Sequence, residues 1–388
     1  MFVRRRFLKI TAAVAAALGG AAAWRAWDQR VFSTGEGPAY EPWKTWRAGD
    51  AQSPRRLVRA AILAASPHNT QPWRFRIGSE DIDLFADRRR NIGTIDPYLR
   101  EMHIGLGCAL ENLLLAAAAE GFEPRLALFP DPADATHVAR VHLRPGDART
   151  SPLFEAIPRR HTNRGAYDTG RVLEPSVFEA LQALGSDLPL VSVKWFSSPE
   201  ARAKVGTSIV QATEAIVDDR EQSRDSAAWL RASRREVEDK HDGLTVDAQG
   251  MPAWMRIGVK MLPPVGPERS DRFWLQATRE VHVATAAAYG FLVARDAADN
   301  SNRIEGGRLW QRMHLWAASK GIAMQPLNQL PERADRERSL GIAPRFGDAL
   351  ADLLGEAGRQ TLMPFRLGYP TAAALASPRR SIEEVILA

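Results

Sequence analysis

The sequence predicts a mixed helix-and-strand protein assembled from two copies of one unit, on three observations. The first lies near residue 60. An apolar helical run from Leu57 to Ala65 halts at Ser66-Pro67, and a strand-like Trp73-Arg74-Phe75-Arg76-Ile77 follows. The second is a long run from Leu99 to Glu120 that is apolar on most helical faces, which marks a buried helix. The third is a weak internal repeat. Residues 107–121 align without gaps on residues 307–321, so that Gly107/Gly307, Leu115/Leu315, Ala117/Ala317, Ala118/Ala318 and Gly121/Gly321 coincide. A repeated period in sequence signals a repeated structural unit.

Taken in order, the chain opens on a targeting signal. Arg4-Arg5-Arg6-Phe7-Leu8-Lys9 precedes an apolar, Ala-rich run from Ile10 to Ala23, too short for an ordinary membrane span. The Arg-Arg-x-Phe-Leu-Lys pattern resembles the twin-arginine export signal, with Val3 where Ser or Thr is usual. That resemblance implies the twin-arginine machinery as a partner and a periplasmic location. The segment is either cleaved near Ala21-Ala22-Ala23 or kept as an anchor on the outer side of the cytoplasmic membrane.

Residues 1–23 are therefore the signal and 24–52 a linker; 53–148 form the first unit and 149–388 the second. Ser53-Pro54 starts a helix, with Ser as cap and Pro in the first turn. Strands 73–77 and 82–86 make a hairpin, and strands 125–129 and 138–143 complete the first unit. In the second unit, helices are expected near 151–157, 175–184, 199–241, 271–294 and 306–320. Strands are expected at 190–196 and from 364. The segment 243–267 holds four prolines with Trp254, Met255, Met261 and Leu262 between them, and is expected to be an irregular, lid-like loop.

Composition narrows the function. The chain has 388 residues, 45% of them hydrophobic and 25% charged, with a net charge of +6. The basic residues are interspersed with acidic ones except in small clusters, and no nucleic-acid-binding motif accompanies them. Small basic clusters suit a phosphate-bearing small ligand. The single cysteine, Cys108, excludes an intrachain disulfide and sits in an apolar helical run. The eight histidines form no helical metal-ligand pattern, so no metal is expected.

The turn from Ser66 to Trp73 carries the most chemistry. Pro67 and Pro72 fix the backbone and remove two amide donors. Between them stand His68, Asn69, Thr70 and Gln71, which offer imidazole, hydroxyl and carboxamide groups to a planar polar ligand. The same residues would also make an ordinary helix-to-strand turn. Two arginine motifs lie in the second unit, Arg160-His161-Thr162-Asn163-Arg164 and Arg379-Arg380.

Together these stretches resemble the nitroreductase family of FMN proteins, in its double-length, Acg-like branch. The carriers are Ala65 to Trp73, Asp96 to Glu101, Arg160 to Arg164, Leu367-Gly368-Tyr369-Pro370 and Arg379 to Val385. The resemblance implies an α+β fold in which two tandem, pseudo-symmetric units mimic the family dimer, and FMN as cofactor. In that family one subunit supplies the Ser-x-x-Asn-x-Gln-Pro-Trp turn and the other the arginines. Here the turn is in the first unit and both arginine motifs are in the second, so one complete site, with one FMN per chain, is expected. The reciprocal elements are missing; Gly250 to Trp254 and Arg88-Arg89-Arg90 are poor substitutes.

By this resemblance Arg160, Arg164 and Arg380 bind the phosphate, supported by Arg379 and Thr162, since guanidinium forks match phosphate oxygens. Asn69 and Gln71 meet the polar edge of the isoalloxazine, with Ser66 or His68 adding a further bond. Trp73 belongs to the strand core, and Arg100 either faces the ligand or caps Asp96 or Glu101 locally. The implied function is flavin-mediated reduction of a nitroaromatic, quinone or similar small-molecule acceptor, with no assigned catalytic side chain. The alternative is a protein that binds and sequesters flavin with little turnover.

Overall fold

The computed structural model describes residues 19–50, 52–263 and 265–387. Most of the expected export signal therefore lies outside the described residues. A helix spans 19–28, and the stretch that follows carries a short helical segment over Pro38–Tyr40 and Glu41–Lys44.

The first unit runs α1 (Pro54–Ala61), β1 (Trp73–Ile77), β2 (Asp81–Ala86), α2 (Arg100–Ala119), β3 (Phe122–Leu128) and β4 (His137–Pro145). The second begins with a short helix over Pro152–Ala156, as expected, then α3 (Pro175–Ala183) and β5 (Val191–Phe196). A long excursion follows, through α4 (Pro199–Asp218), α5 (Arg220–Ala227), α6 (Arg234–Lys240), α7 (Ala253–Met261) and α8 (Pro267–Ala277). The chain then returns as β6 (Ala288–Ala294), α9 (Asn300–Ser319), β7 (Ala323–Pro326), α10 (Gln329–Leu340), α11 (Arg345–Leu354) and β8 (Thr361–Gly368).

Each unit has a four-stranded antiparallel sheet with the same order: β1-β2-β4-β3 in the first and β5-β6-β8-β7 in the second. The α+β expectation and its pseudo-symmetry are thus visible in the strand order itself. The two central helices, α2 and α9, pack on each other where the repeat was read. A Cβ on Gly107 would meet the Ile304 carbonyl oxygen at 2.2 Å, and one on Gly307 would meet that of Ile104 at 2.0 Å. The contacts are reciprocal at a shift of 200 residues, as a two-fold axis between the copies requires. Glycine is needed at both positions because the helix backbones touch. One apolar cluster runs through both units, from Leu57 and Leu110 to Leu309 and Phe365.

Three expectations from the sequence change. The long helix expected over 199–241 breaks at Asp219, which is extended (φ −84°, ψ 102°) and caps α5 by accepting from the amides of Glu221 and Gln222. The helix expected over 271–294 ends early, and Ala288–Ala294 is a central strand buried along its whole length. A short apolar run of this kind has no periodicity to separate a buried strand from a buried helix. The segment 243–267, expected to be irregular, contains the helix α7.

Candidate functional site

The site is built around the turn after α1. Ser66 and Pro67 rest on α2 at Gly105, where an added Cβ would lie 3.0 Å from Pro67 Cδ. Ser66 Oγ accepts from the Gln71 amide at 3.0 Å and closes the turn. His68, Asn69 and Gln71 all have positive φ, at 44°, 56° and 53°. Side chains beyond glycine seldom adopt this region, and such strain persists where the surroundings over-determine it, often at ligand sites. Gln311 of α9 holds the turn from below: its Oε1 accepts from Ala65 N at 3.4 Å and its Nε2 donates to Asn112 Oδ1 at 2.8 Å.

Arginines from the second unit converge on the same place. Arg160 Nη2 donates to the Leu63 carbonyl at 3.1 Å, and Arg379 Nη2 donates to the Ala64 carbonyl at 3.2 Å. Both therefore reach the carbonyls that follow α1, where positive charge is favoured. Arg379 Nη1 also donates to Asn69 Oδ1, and its guanidinium lies over the Trp43 ring at 4.6 Å. Arg160 and Arg379 are buried, and among the described residues their Nε–H groups have no hydrogen-bond partner.

The electrostatics are unusual for buried charges. Burial pushes Arg160 and Arg164 down to about 10, and burial together with Arg160 takes Arg379 well below the ordinary arginine value. Among the described residues no carboxylate contributes to holding any of the three charged. Histidines around them are kept neutral. His68 falls to about 4 through burial and then Arg164, and His161 to about 3 through burial, then Arg160 and Arg379. Burial, then neighbouring arginines, take His282 and His314 well below their usual value. Buried charge without a counter-charge is costly, so this wall has the donors and the sign to receive an anion.

The polar tips of the turn are already engaged. A strap from the excursion, residues 241–250, crosses them. Asn69 Nδ2 donates to Gly243 O at 3.2 Å and to Pro378 O at 3.0 Å, and Gln71 Nε2 donates to His241 O at 2.8 Å. His68 Nε2 meets Ser226 Oγ at 3.1 Å, and Arg164 Nη1 donates to Ala248 O at 3.1 Å. Asp242 pins the strap by accepting from Arg231 and from Arg90.

Of the residues expected from the sequence, Ser66, His68, Asn69 and Gln71 share the turn. Arg160, Arg164 and Arg379 line the buried wall, with half-buried Thr162 between the first two in sequence. Arg380 departs from its expected role. Its backbone amide donates to Gln71 Oε1 at 2.8 Å, and its Nη2 donates to the Glu384 carbonyl at 2.6 Å. It braces the back of the turn, whereas Arg379, expected only as support, points into the wall. Arg100 lies elsewhere, paired with Asp335. Trp73 is fully buried in the core, as expected.

The sequence reading missed Arg366, Trp43 and the strap. Arg366 is fully buried and donates to Gly165 O at 2.7 Å and Gln325 Oε1 at 2.7 Å. A charge inside an otherwise apolar strand was its available signal. Trp43 packs edge-on to His161 with ring centroids 4.5 Å apart. Cys108 is buried and its thiol is pushed up by burial, which leaves it inert. Among the described residues no cluster of side chains could hold a metal ion.

No family model matches the chain. It is 27% identical over 342 residues to the Mycobacterium tuberculosis protein named "Putative NAD(P)H nitroreductase Rv3131", covering 87% of this chain and 92% of that one. It is 34% identical over 110 residues to the M. tuberculosis protein named "Putative NAD(P)H nitroreductase acg", covering 28% of this chain and 33% of that one. Among solved structures it overlaps the Anabaena variabilis protein described as "a putative nitroreductase" at 12% identity, over 85% of this chain and 91% of that one, with a TM-score of 0.40. It also overlaps the FMN-dependent nitroreductase NfnB from Mycobacterium smegmatis at 16% identity, over 60% of this chain and 96% of that one, with a TM-score of 0.33. With TM-scores of 0.40 and 0.33, these two overlaps carry no argument. The sequence similarity over 87% of the chain is to a protein that bears the nitroreductase name.

Proposed function

We propose that the chain is an FMN-dependent oxidoreductase of the nitroreductase type, which passes electrons from a reduced donor to a nitroaromatic, quinone or similar planar acceptor. The observation that carries this reading is the Arg160–Arg164–Arg379 wall: two buried guanidiniums and a half-buried one, facing a strained turn of the other unit, without a carboxylate among the described residues to balance them. A phosphate monoester supplies the missing charge, and the unpartnered Nε–H groups of Arg160 and Arg379 are donors to spare for it. The sequence similarity to proteins named as NAD(P)H nitroreductases supports the same class.

The fit is uneven along the cofactor. The phosphate end has its donors ready. For the ring, Asn69 and Gln71 offer donor and acceptor groups of the right kind, but they are engaged by the strap at His241 and Gly243. Ring binding requires the strap to release them. Bound FMN would supply the electron-carrying isoalloxazine. The residues of this chain would hold its phosphate, orient its polar edge and, through the strap, exclude water.

The strap also favours a second reading, a protein that sequesters flavin with little turnover. The expected export by the twin-arginine route adds weight to it, because NAD(P)H is not normally available outside the cytoplasm. One experiment tests both. The purified chain should show flavin absorbance at one FMN per chain; no flavin band after reconstitution, or two per chain, overturns the single-site proposal. NADPH or dithionite followed by a nitroaromatic then separates the readings. Bleaching and reoxidation indicate an oxidoreductase, and dithionite reduction that no acceptor reverses indicates sequestration.

A further inference from the structure

We propose that the exposed aromatic face shared by the N-terminal helix and α7 docks on the headgroup layer of a lipid bilayer. This goes beyond the flavin reading and does not depend on it.

The helix at 19–28 and the turn after it leave Trp24, Trp27 and Phe32 exposed at 62%, 73% and 81%. Neither α7 nor α8 has a single buried residue. On and just after α7, Trp254 is 71% exposed and Leu262 62%. The two regions form one surface. Arg25 Nε donates to the Met261 carbonyl at 3.0 Å and Arg25 Nη2 to that of Leu262 at 2.6 Å, so the N-terminal helix crosses the end of α7.

The helix α7 leaves part of its apolar surface outside, while Ile257, Val259 and Met261 are half-buried. Its charged side is turned to the protein, where Lys260 Nζ pairs with Asp247 Oδ2 at 2.6 Å and Arg256 approaches the same carboxylate. Its Trp254, Met255 and Leu262 are turned out. A soluble helix buries its apolar stripe, and a contiguous apolar patch left outside marks a contact surface.

The occupant follows from what adjoins the patch. In sequence the N-terminal helix continues directly from the apolar run Ile10 to Ala23, preceded by Arg4-Arg5-Arg6 and Lys9. Trp is the residue type favoured at headgroup depth, because its ring is apolar and its N–H is polar.

The test uses the full chain and vesicles of phosphatidylglycerol and phosphatidylethanolamine with brominated acyl chains, which quench tryptophan only at short range. Wild type should float with the vesicles and lose roughly a quarter of its emission, since three of its eleven tryptophans lie in the patch. Trp254→Phe keeps the apolar face and should reduce the quenched fraction by about a third. Failure to float, or quenching unchanged by Trp254→Phe, overturns the proposal. So does a lipid-free dimer, seen by sedimentation, that Trp254→Arg converts to monomer; the face would then belong to a second copy of the chain.

Discussion

Arg100 and Arg379 are equally hidden from water, at 2% and 3% exposure, yet their environments are opposite. Arg100, at the start of α2, donates to Asp335 Oδ2 at 2.9 Å and to the Leu362 carbonyl at 2.6 Å. Burial alone would lower its pKa, but Asp335, Glu101 and Asp96 outweigh it and hold the group above its ordinary value. Arg379 has carbonyls and a carboxamide as partners, no carboxylate, and Arg160 beside it, and it is held well below. One charge is balanced within the protein. The other has no balancing carboxylate among the described residues. Burial alone therefore does not set how an arginine's charge is held; the sign of its surroundings does.

The largest expected effect comes from breaking the balanced pair. Arg100→Met takes the buried cation from Glu101 and Asp335, leaving Asp335 only the exposed Arg338, and should cost about 3 kcal/mol in urea unfolding. Arg379→Met removes an unbalanced charge along with its hydrogen bonds. The unliganded chain should change by about 1 kcal/mol or less, while FMN affinity falls roughly 10- to 100-fold through loss of charge-assisted bonds. If Arg379→Met destabilises the unliganded chain as much as Arg100→Met, Arg379 is a structural cap and the contrast fails.

The sequence made one side of this contrast legible. Proline punctuation and polar side chains exposed the turn at 66–72, and the arginine motifs stood out as local clusters. The duplicated core was readable from Gly107 and Gly307 because backbone contact permits only glycine there. What differs between the units was not readable. The first and second strands are joined by residues 78–80 in one unit and by 197–287 in the other. The strap from that excursion meets Asn69 through backbone carbonyls more than 170 positions away. Backbone carbonyls leave no side-chain signature. Which of Arg379 and Arg380 reaches the carbonyls after α1 depends on which way each side chain leaves its segment, and adjacent arginines carry no pattern that fixes it.

The two regions also store protons oppositely, which separates them by pH. Around the basic wall, His282 and His314 are buried and held neutral. As pH falls below about 6.5 the unfolded chain takes up protons that the folded chain refuses, so stability falls with falling pH. The slope should approach about 1.4 kcal/mol per pH unit for each histidine. Urea midpoints at pH 6.5 and pH 5, compared between wild type and His314→Gln, isolate it from the opposite trend of Glu101 and Glu332 over the same range. A pH dependence that the substitution leaves unchanged would mean that His314 charges in place and that the wall is less cationic than its geometry indicates.

The smallest effect probes the acidic side. Glu101 is raised to about 7 by burial first, with Asp96 adding to it against the opposing pull of Arg100, and Glu332 is raised well above its usual value by burial and by Glu101. Both are buried, and their carboxyl groups hydrogen-bond each other, so the pair retains a proton. Between about pH 4.5 and 7 the unfolded chain ionises both groups while the folded chain resists. Stability here falls as pH rises, opposite to the histidine side. Glu332→Gln keeps a donor for Glu101 and removes one of the two charges. It should therefore stabilise the chain at pH 8 by about 1 kcal/mol, with little change at pH 4.5, where the pair is already protonated. Equal destabilisation at both pH values would mean that the carboxyl at 332 is held by shape and hydrogen bonding, and that the acidic side is balanced by Arg100 without a shared proton.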